Sequence, residues 1–140
     1  PAEVSLQPVM TVKARIISLQ QVNAGEKIGY GATYTCESNT VIAVINIGYG
    51  DGYPRDAATG TPVLVRGVRC PLVGRVSMDM ITVDVSKVAQ VALHDEVTLW
   101  GQGLPLDEVA GAMRCFDYEM LARITQRIEV QPVNRLQTVD

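Results

Sequence analysis

Apolar and polar residues alternate along most of this chain with the period of half-buried strands. Residues 9–19, Val-Met-Thr-Val-Lys-Ala-Arg-Ile-Ile-Ser-Leu, make a long strand candidate with Lys13 and Arg15 on one face. Residues 41–47 are almost continuously apolar, as in a strand covered on both faces. Short β-branched runs follow at 62–66, 81–85, 96–100 and 125–130, each bounded by Gly, Pro, Asp or Ser. Such a series argues for a barrel or sandwich. We expect a mainly β chain, a Greek-key-like β-barrel of about six to eight strands. One segment changes period: Leu106, Val109, Ala110 and Met113 fall at i, i+3, i+4 and i+7, predicting a helix with one buried face and Asp107 as its cap. A second short helix is expected over 118–123, with Asp117 as its cap, so one or two short helices lie near the C-terminus.

The length, 140 residues, is one domain's worth, spanning 1–140, with linker-like stretches only at 1–8 and 132–140. Hydrophobic residues at 47% and charged residues at 19% exclude wholesale disorder. A net charge of −3 without a basic block argues against nucleic acid or an anionic membrane as partner. No apolar run reaches the roughly 18 residues of a membrane span, and no signal-peptide pattern opens the chain. Three cysteines, Cys36, Cys70 and Cys115, are widely spaced and form no CxxC pair, which fits a reducing cytoplasm, and Cys70 and Cys115 read as buried small hydrophobes. The one histidine, His94, excludes chemistry needing two His ligands; beside Asp95 and Glu96 it reads as a solvated loop residue. No metal site is expected.

Four of the five tyrosines, Tyr30, Tyr34, Tyr49 and Tyr53, fall within 24 residues, in two Gly-rich stretches. These read Ile28-Gly29-Tyr30-Gly31-Ala32-Thr33-Tyr34 and Ile47-Gly48-Tyr49-Gly50-Asp51-Gly52-Tyr53-Pro54-Arg55. Glycine frees the backbone and lets another surface approach closely. A phenol with an ordinary pKa near 10 becomes a base only if that value falls, and Arg55 or Arg75 are local cations that would lower it. Taken alone, the same tyrosines also read as turn residues packing at the surface. The Gly48–Gly52 stretch lacks the Lys-Ser/Thr ending of a phosphate loop, and its Asp51 reads as a turn residue. A third stretch, Val73-Gly74-Arg75-Val76-Ser77-Met78-Asp79-Met80, interrupts a strand. Such a break exposes backbone N–H groups that can hold a carboxylate. It also reads as a hairpin with Met78 in the core.

In order and spacing, these stretches resemble the carboxy-terminal domain of alanine racemase, with Asp117-Tyr118-Glu119 at that family's last motif position. The resemblance runs from about residue 6 to 130. It implies a two-domain enzyme that uses pyridoxal 5′-phosphate, held on a lysine of an amino-terminal (β/α)₈ barrel, to interconvert L- and D-alanine for peptidoglycan precursors. It also implies a cytoplasmic head-to-tail homodimer in which the β domain of one subunit completes the site of the other. Carried over residue by residue, Tyr30 is the base on the L-alanine face. Met78 lines the substrate position, and its N–H holds the carboxylate. Tyr118 reaches the cofactor phosphate. Tyr49, Arg55, Arg75 and Phe116 line the entrance.

One departure is large. The lysines are Lys13, Lys27 and Lys87, and none sits in the family's Lys-Ala-Asn-Ala-Tyr-Gly context. The chain therefore reads as part of an enzyme that is inactive by itself. Two other readings remain at this stage. One is the β domain of a related pyridoxal phosphate racemase or decarboxylase; the other is a non-catalytic, stand-alone β-barrel binding module.

Overall fold

A computed structural model describes residues 10–28, 34–113, 124 and 127–131. Its strands are β1 (Val12–Val22), β2 (Lys27–Ile28), β3 (Tyr34–Thr35), β4 (Thr40–Ile45), β5 (Pro62–Val65), β6 (Val68–Pro71), β7 (Ile81–Asp84) and β8 (Glu96–Trp100); the helix α1 is Leu106–Met113. Six strands form one antiparallel sheet in the order β6-β5-β8-β1-β4-β7, and β2 pairs with β3 in a separate hairpin. The two ends of the large sheet meet at a Leu72–Val83 bridge. There the Val73 N–H donates to the Thr82 carbonyl at 2.9 Å and the Thr82 hydroxyl donates to the Val73 carbonyl. The sheet is thus a nearly closed barrel whose edge strands satisfy each other.

Strand β1 serves both halves. Its first part pairs with β8 and its second with β4, with register breaks between Val12 and Lys13 and between Ile16 and Ser18. At the second break the Ile16 N–H donates to the Asp95 carbonyl at 3.0 Å, while the Asn46 N–H donates to the Arg15 carbonyl at 3.1 Å. These bulges bend the strand around the barrel.

The interior is built from alternate residues: Ile16, Ala43, Ile45, Val63, Val65, Leu72, Val83, Val97 and Leu99 are all fully buried. Each such Val, Ile or Leu contributes roughly 1.5–3 kcal/mol by leaving water. The buried face of α1, Val109, Ala110 and Met113, joins the same core. Strand β4 is covered on both faces as expected, because Ile42 points into a second cluster with Val22, Cys36 and Val73. Ile28 and Tyr34 pack on that cluster and so anchor the β2–β3 hairpin.

Four details of the sequence reading change. The first strand begins at Val12 and continues to Val22. Strand β6 escaped the pattern because its sequence, Val-Arg-Cys-Pro, is not a β-branched run; it pairs with β5 across a turn in which Arg66 and Gly67 have φ of 49° and 76°, the left-handed pair that hairpin twist favours. Helix α1 starts on the Pro105 carbonyl, which accepts from the N–H groups of Glu108 and Val109, so Asp107 lies inside the first turn. The described part of the expected strand at 125–130 is turn, bend and irregular chain. Residues 127–130 join no strand. The expected helix over 118–123 lies outside the described residues, as does Cys115.

Two exposed ion pairs link elements across the surface, Arg66 with Asp95 and Arg69 with Glu108, each two-pronged. The hydrogen bonds from Arg66, and then from the Ala92 N–H, hold the Asp95 carboxyl below its usual range; the Arg69 hydrogen bond does the same for Glu108. A carboxyl with a depressed folded value takes up its proton more readily in the unfolded chain. The stabilisation is therefore complete above the ordinary carboxylate range and is lost as pH falls through the folded values. Melting scans should be level from pH 7 to about pH 5 and fall below it. The Asp95→Asn/Glu108→Gln double variant should melt lower at pH 7 and lose less on acidification; an equally steep fall would refute the linkage.

Candidate functional site

Strand register explains why motifs far apart in sequence meet. Ile45 pairs with Ile81, so the segment leaving β4 lies beside the segment entering β7. Pro62 pairs with Pro71, and the Gly60 N–H donates to the Leu72 carbonyl at 2.8 Å, so the approach to β5 lies beside the exit from β6. Residues 48–60 and 73–80 consequently pack together.

The first loop carries its own brace. The Gly48 N–H donates to Asp51 Oδ2 at 2.9 Å, closing a 3₁₀ turn over Tyr49–Asp51, and Gly52 ends the turn at φ 109°. In the second loop, Ser77 closes a turn on Met80: its N–H and hydroxyl both donate to the Met80 carbonyl, at 3.0 and 2.9 Å, and its Oγ accepts the Met80 N–H at 3.1 Å. The loops are joined by the Tyr49 N–H donating to the Ser77 carbonyl at 3.0 Å and the Gly50 N–H donating to the Met78 carbonyl at 2.9 Å. A Cβ at Gly48 would collide with the carbonyls of Ser77 and Met78, so glycine is required there by close approach.

Tyr49, Arg55 and Arg75, singled out in the sequence, line one open cleft of about 800 Å³ with Asp56, Thr59 and Val76. That volume falls within the range of small-molecule sites. The Arg55 guanidinium lies 4.9 Å from the centre of the Tyr49 ring, a cation–π distance. Two arginines against one aspartate give the cleft a positive balance suited to a carboxylate. Met78 adjoins it on the joined loop, 52% exposed, which removes the reading of Met78 as a core residue. The Met78 N–H has no acceptor among the described residues.

The tyrosines separate by environment. Tyr53 is buried, 6.4 Å from Trp100 ring to ring, and burial holds its phenol far above the usual value. Burial, then the nearby Cys36, Asp84 and Glu37, push the Tyr34 phenol up as well. Neither is fitted to be a base. Burial also pushes the Cys70 thiol up to about 11, making it an inert packing residue. His94 is an exposed turn residue at φ 70°. None of the lysines lines the cleft: Lys13 pairs with Glu96 at 3.1 Å, Lys27 is exposed on β2 and Lys87 sits in the turn after β7.

Tyr30, Phe116 and Tyr118 lie outside the described residues. The pairing of Ile28 with Tyr34 brackets 29–33, the segment that carries Tyr30.

One residue at the site was not legible in the sequence. Arg127 sets Nε 3.3 Å from Asp51 Oδ1 and Nη2 2.6 Å from Asp79 Oδ1, bridging the two loops. The only available signal was two loop carboxylates in want of a cation.

The profile of the family described as alanine racemase, C-terminal domain, matches residues 9–131. The chain belongs to that family. Among its relatives, the alanine racemase of Vibrio cholerae is 50% identical over 128 residues, which is 91% of this chain and 36% of that protein. The crystal structure of the biosynthetic alanine racemase from Pseudomonas aeruginosa superposes with a TM-score of 0.86 at 50% identity, over 91% of this chain and 36% of that one. The alanine racemase of Bartonella henselae with covalently bound pyridoxal phosphate matches with a TM-score of 0.78 at 30% identity, over 84% of this chain and 33% of that one. The chain thus spans about a third of the length of these relatives.

The buried Tyr53 hydroxyl has no hydrogen-bond partner among the described residues. A desolvated, unpaired hydroxyl costs about 1–3 kcal/mol. Tyr53→Phe keeps the ring and should raise stability by about 1 kcal/mol in urea unfolding with an unchanged slope. A loss of that size would show that the hydroxyl is paired after all.

Proposed function

We propose that this chain is the carboxy-terminal domain of an alanine racemase and supplies one wall of a site that interconverts L- and D-alanine. What carries the reading is the gathering of Tyr49, Arg55 and Arg75 around one cleft beside the Met78 turn, in a chain matched to the family over residues 9–131.

Racemisation takes the α-proton from one face of the amino acid and returns one to the other. It therefore needs an acid/base group on each face. Tyr30 serves the L-alanine face, removing or returning the proton at the α-carbon. The full burial of Tyr53 removes that tyrosine from this role. The Met78 N–H, without an acceptor among the described residues, holds the substrate carboxylate, and the Met78 side chain lines the substrate position. Tyr49, Arg55, Arg75 and Phe116 line a positive entrance that admits small amino acids. Pyridoxal phosphate supplies the electron sink that makes the α-proton acidic. This chain's lysines do not fit its attachment, since none reaches the cleft. Its anchoring amine belongs to the barrel domain of the complete enzyme, as does the acid/base group of the D-alanine face. From this chain, Tyr118 would hold the phosphate. The complete enzyme is a cytoplasmic head-to-tail dimer, each β domain facing the other subunit's barrel.

Two outcomes test the reading. Mixed with pyridoxal phosphate, the 140-residue chain should show neither alanine racemisation nor a visible absorbance band that depends on one particular lysine. Such a band would overturn the division of labour. In the complete enzyme, Tyr30→Phe should slow racemisation by about 10²–10⁴-fold with little loss of cofactor. Solvent exchange of the α-proton should fail from L-alanine and persist, slowed, from D-alanine. Equal loss from both enantiomers would remove Tyr30 from this role. Arg55→Ala and Arg75→Ala, as controls, should alter substrate access without one-sided exchange.

A further inference from the structure

We propose that Arg127 is a positioning residue: by bridging Asp51 and Asp79 it fixes where the Met78 N–H stands relative to the Tyr49 loop. The inference rests on the racemase reading above, in which that N–H receives the substrate carboxylate.

The turn closed by Ser77 has a fixed internal shape, but that shape does not determine where the turn sits. Its position depends on Val76, buried in the core just before it, on Ile81 at the start of β7 just after it, on two backbone hydrogen bonds, at Tyr49 and Gly50, and on the close approach at Gly48. Asp79 directly follows Met78, so movement of its carboxylate reorients the Met78 peptide. Asp51 has one oxygen committed to the Gly48 N–H and the other facing Arg127. A single planar guanidinium thus reaches both loops through different nitrogens, Nε and Nη2. The point charge of a lysine cannot reproduce that fork. Without the arginine, two carboxylates would face each other across the joint and drive the loops apart. Arg127 is itself 43% exposed, and exposed pairs add little to overall stability. The consequence of its loss is local: a mobile donor and a displaced entrance tyrosine.

Amide hydrogen exchange measured by NMR on the 140-residue chain tests the clamp. In Arg127→Gln, the Tyr49 and Gly50 amides should exchange at least about tenfold faster, while the barrel amides of Ala43 and Val83 keep wild-type protection. Arg127→Lys should fall between, and Asp79→Asn should move the same two amides in the same direction. In the complete enzyme, Arg127→Gln should raise KM for alanine about tenfold and change kcat less than about threefold, because the carboxylate contact is made alike in ground and transition states. Arg127→Lys should recover part of the KM. Unchanged exchange at Tyr49 and Gly50 would overturn the clamp. Faster exchange with an unchanged KM would overturn its positioning role. Wild-type enzyme that does not racemise alanine would overturn the racemase reading and this inference with it, whereas active wild type with unmoved variants would overturn this inference alone.

Discussion

The bend in β1 is the constraint on which the rest of the molecule depends. A six-stranded sheet leaves two edges, and they can pair only if some strand turns the corner between the halves. Strand β1 does so by changing partner at Arg15–Ile16, where one carbonyl accepts from Asn46 and the next N–H donates to Asp95. The sheet then curls until β6 and β7 touch at Leu72–Val83. Closure removes the exposed edges and encloses a core of Val, Ile and Leu. Among the described C-terminal residues, Arg127 joins no strand and reaches across to the loops.

The site follows from that closure. Antiparallel pairing of β4 with β7, and of β5 with β6, brings four strand ends and the loops between them together. Side-chain packing anchors these loops, since Tyr53, Ala57 and Val76 belong to the core. They are joined by backbone hydrogen bonds, by a glycine that lets one backbone lie on another, and by carboxylates sharing a guanidinium. The arrangement leaves the cleft polar and open while its base is rigid. Burial then distinguishes tyrosines that the sequence presents as equivalents: Tyr53 becomes core, Tyr34 braces the hairpin and Tyr49 lines the cleft.

The division between sequence and structure runs along the range of the interactions. Local patterns determined the mainly β class, the position of β8, the two-sided cover of β4 and the buried face of α1, because side-chain period reports directly on which face is dry. The glycine- and tyrosine-rich stretches and the Ser-Met-Asp turn were legible for the same reason: their chemistry is written in adjacent residues. Three features were decided only by tertiary structure. Strand β6, Val-Arg-Cys-Pro, carries no β-branched run and exists because β5 offers a partner. Residues 127–131 carry strand-forming residues yet join no strand, because pairing needs a partner that only the fold can supply. The bridge from Arg127 to Asp51 and Asp79 joins residues 76 and 48 positions apart. No local pattern encodes such a contact, because charge pairing depends on distance in space, and the barrel alone sets that distance.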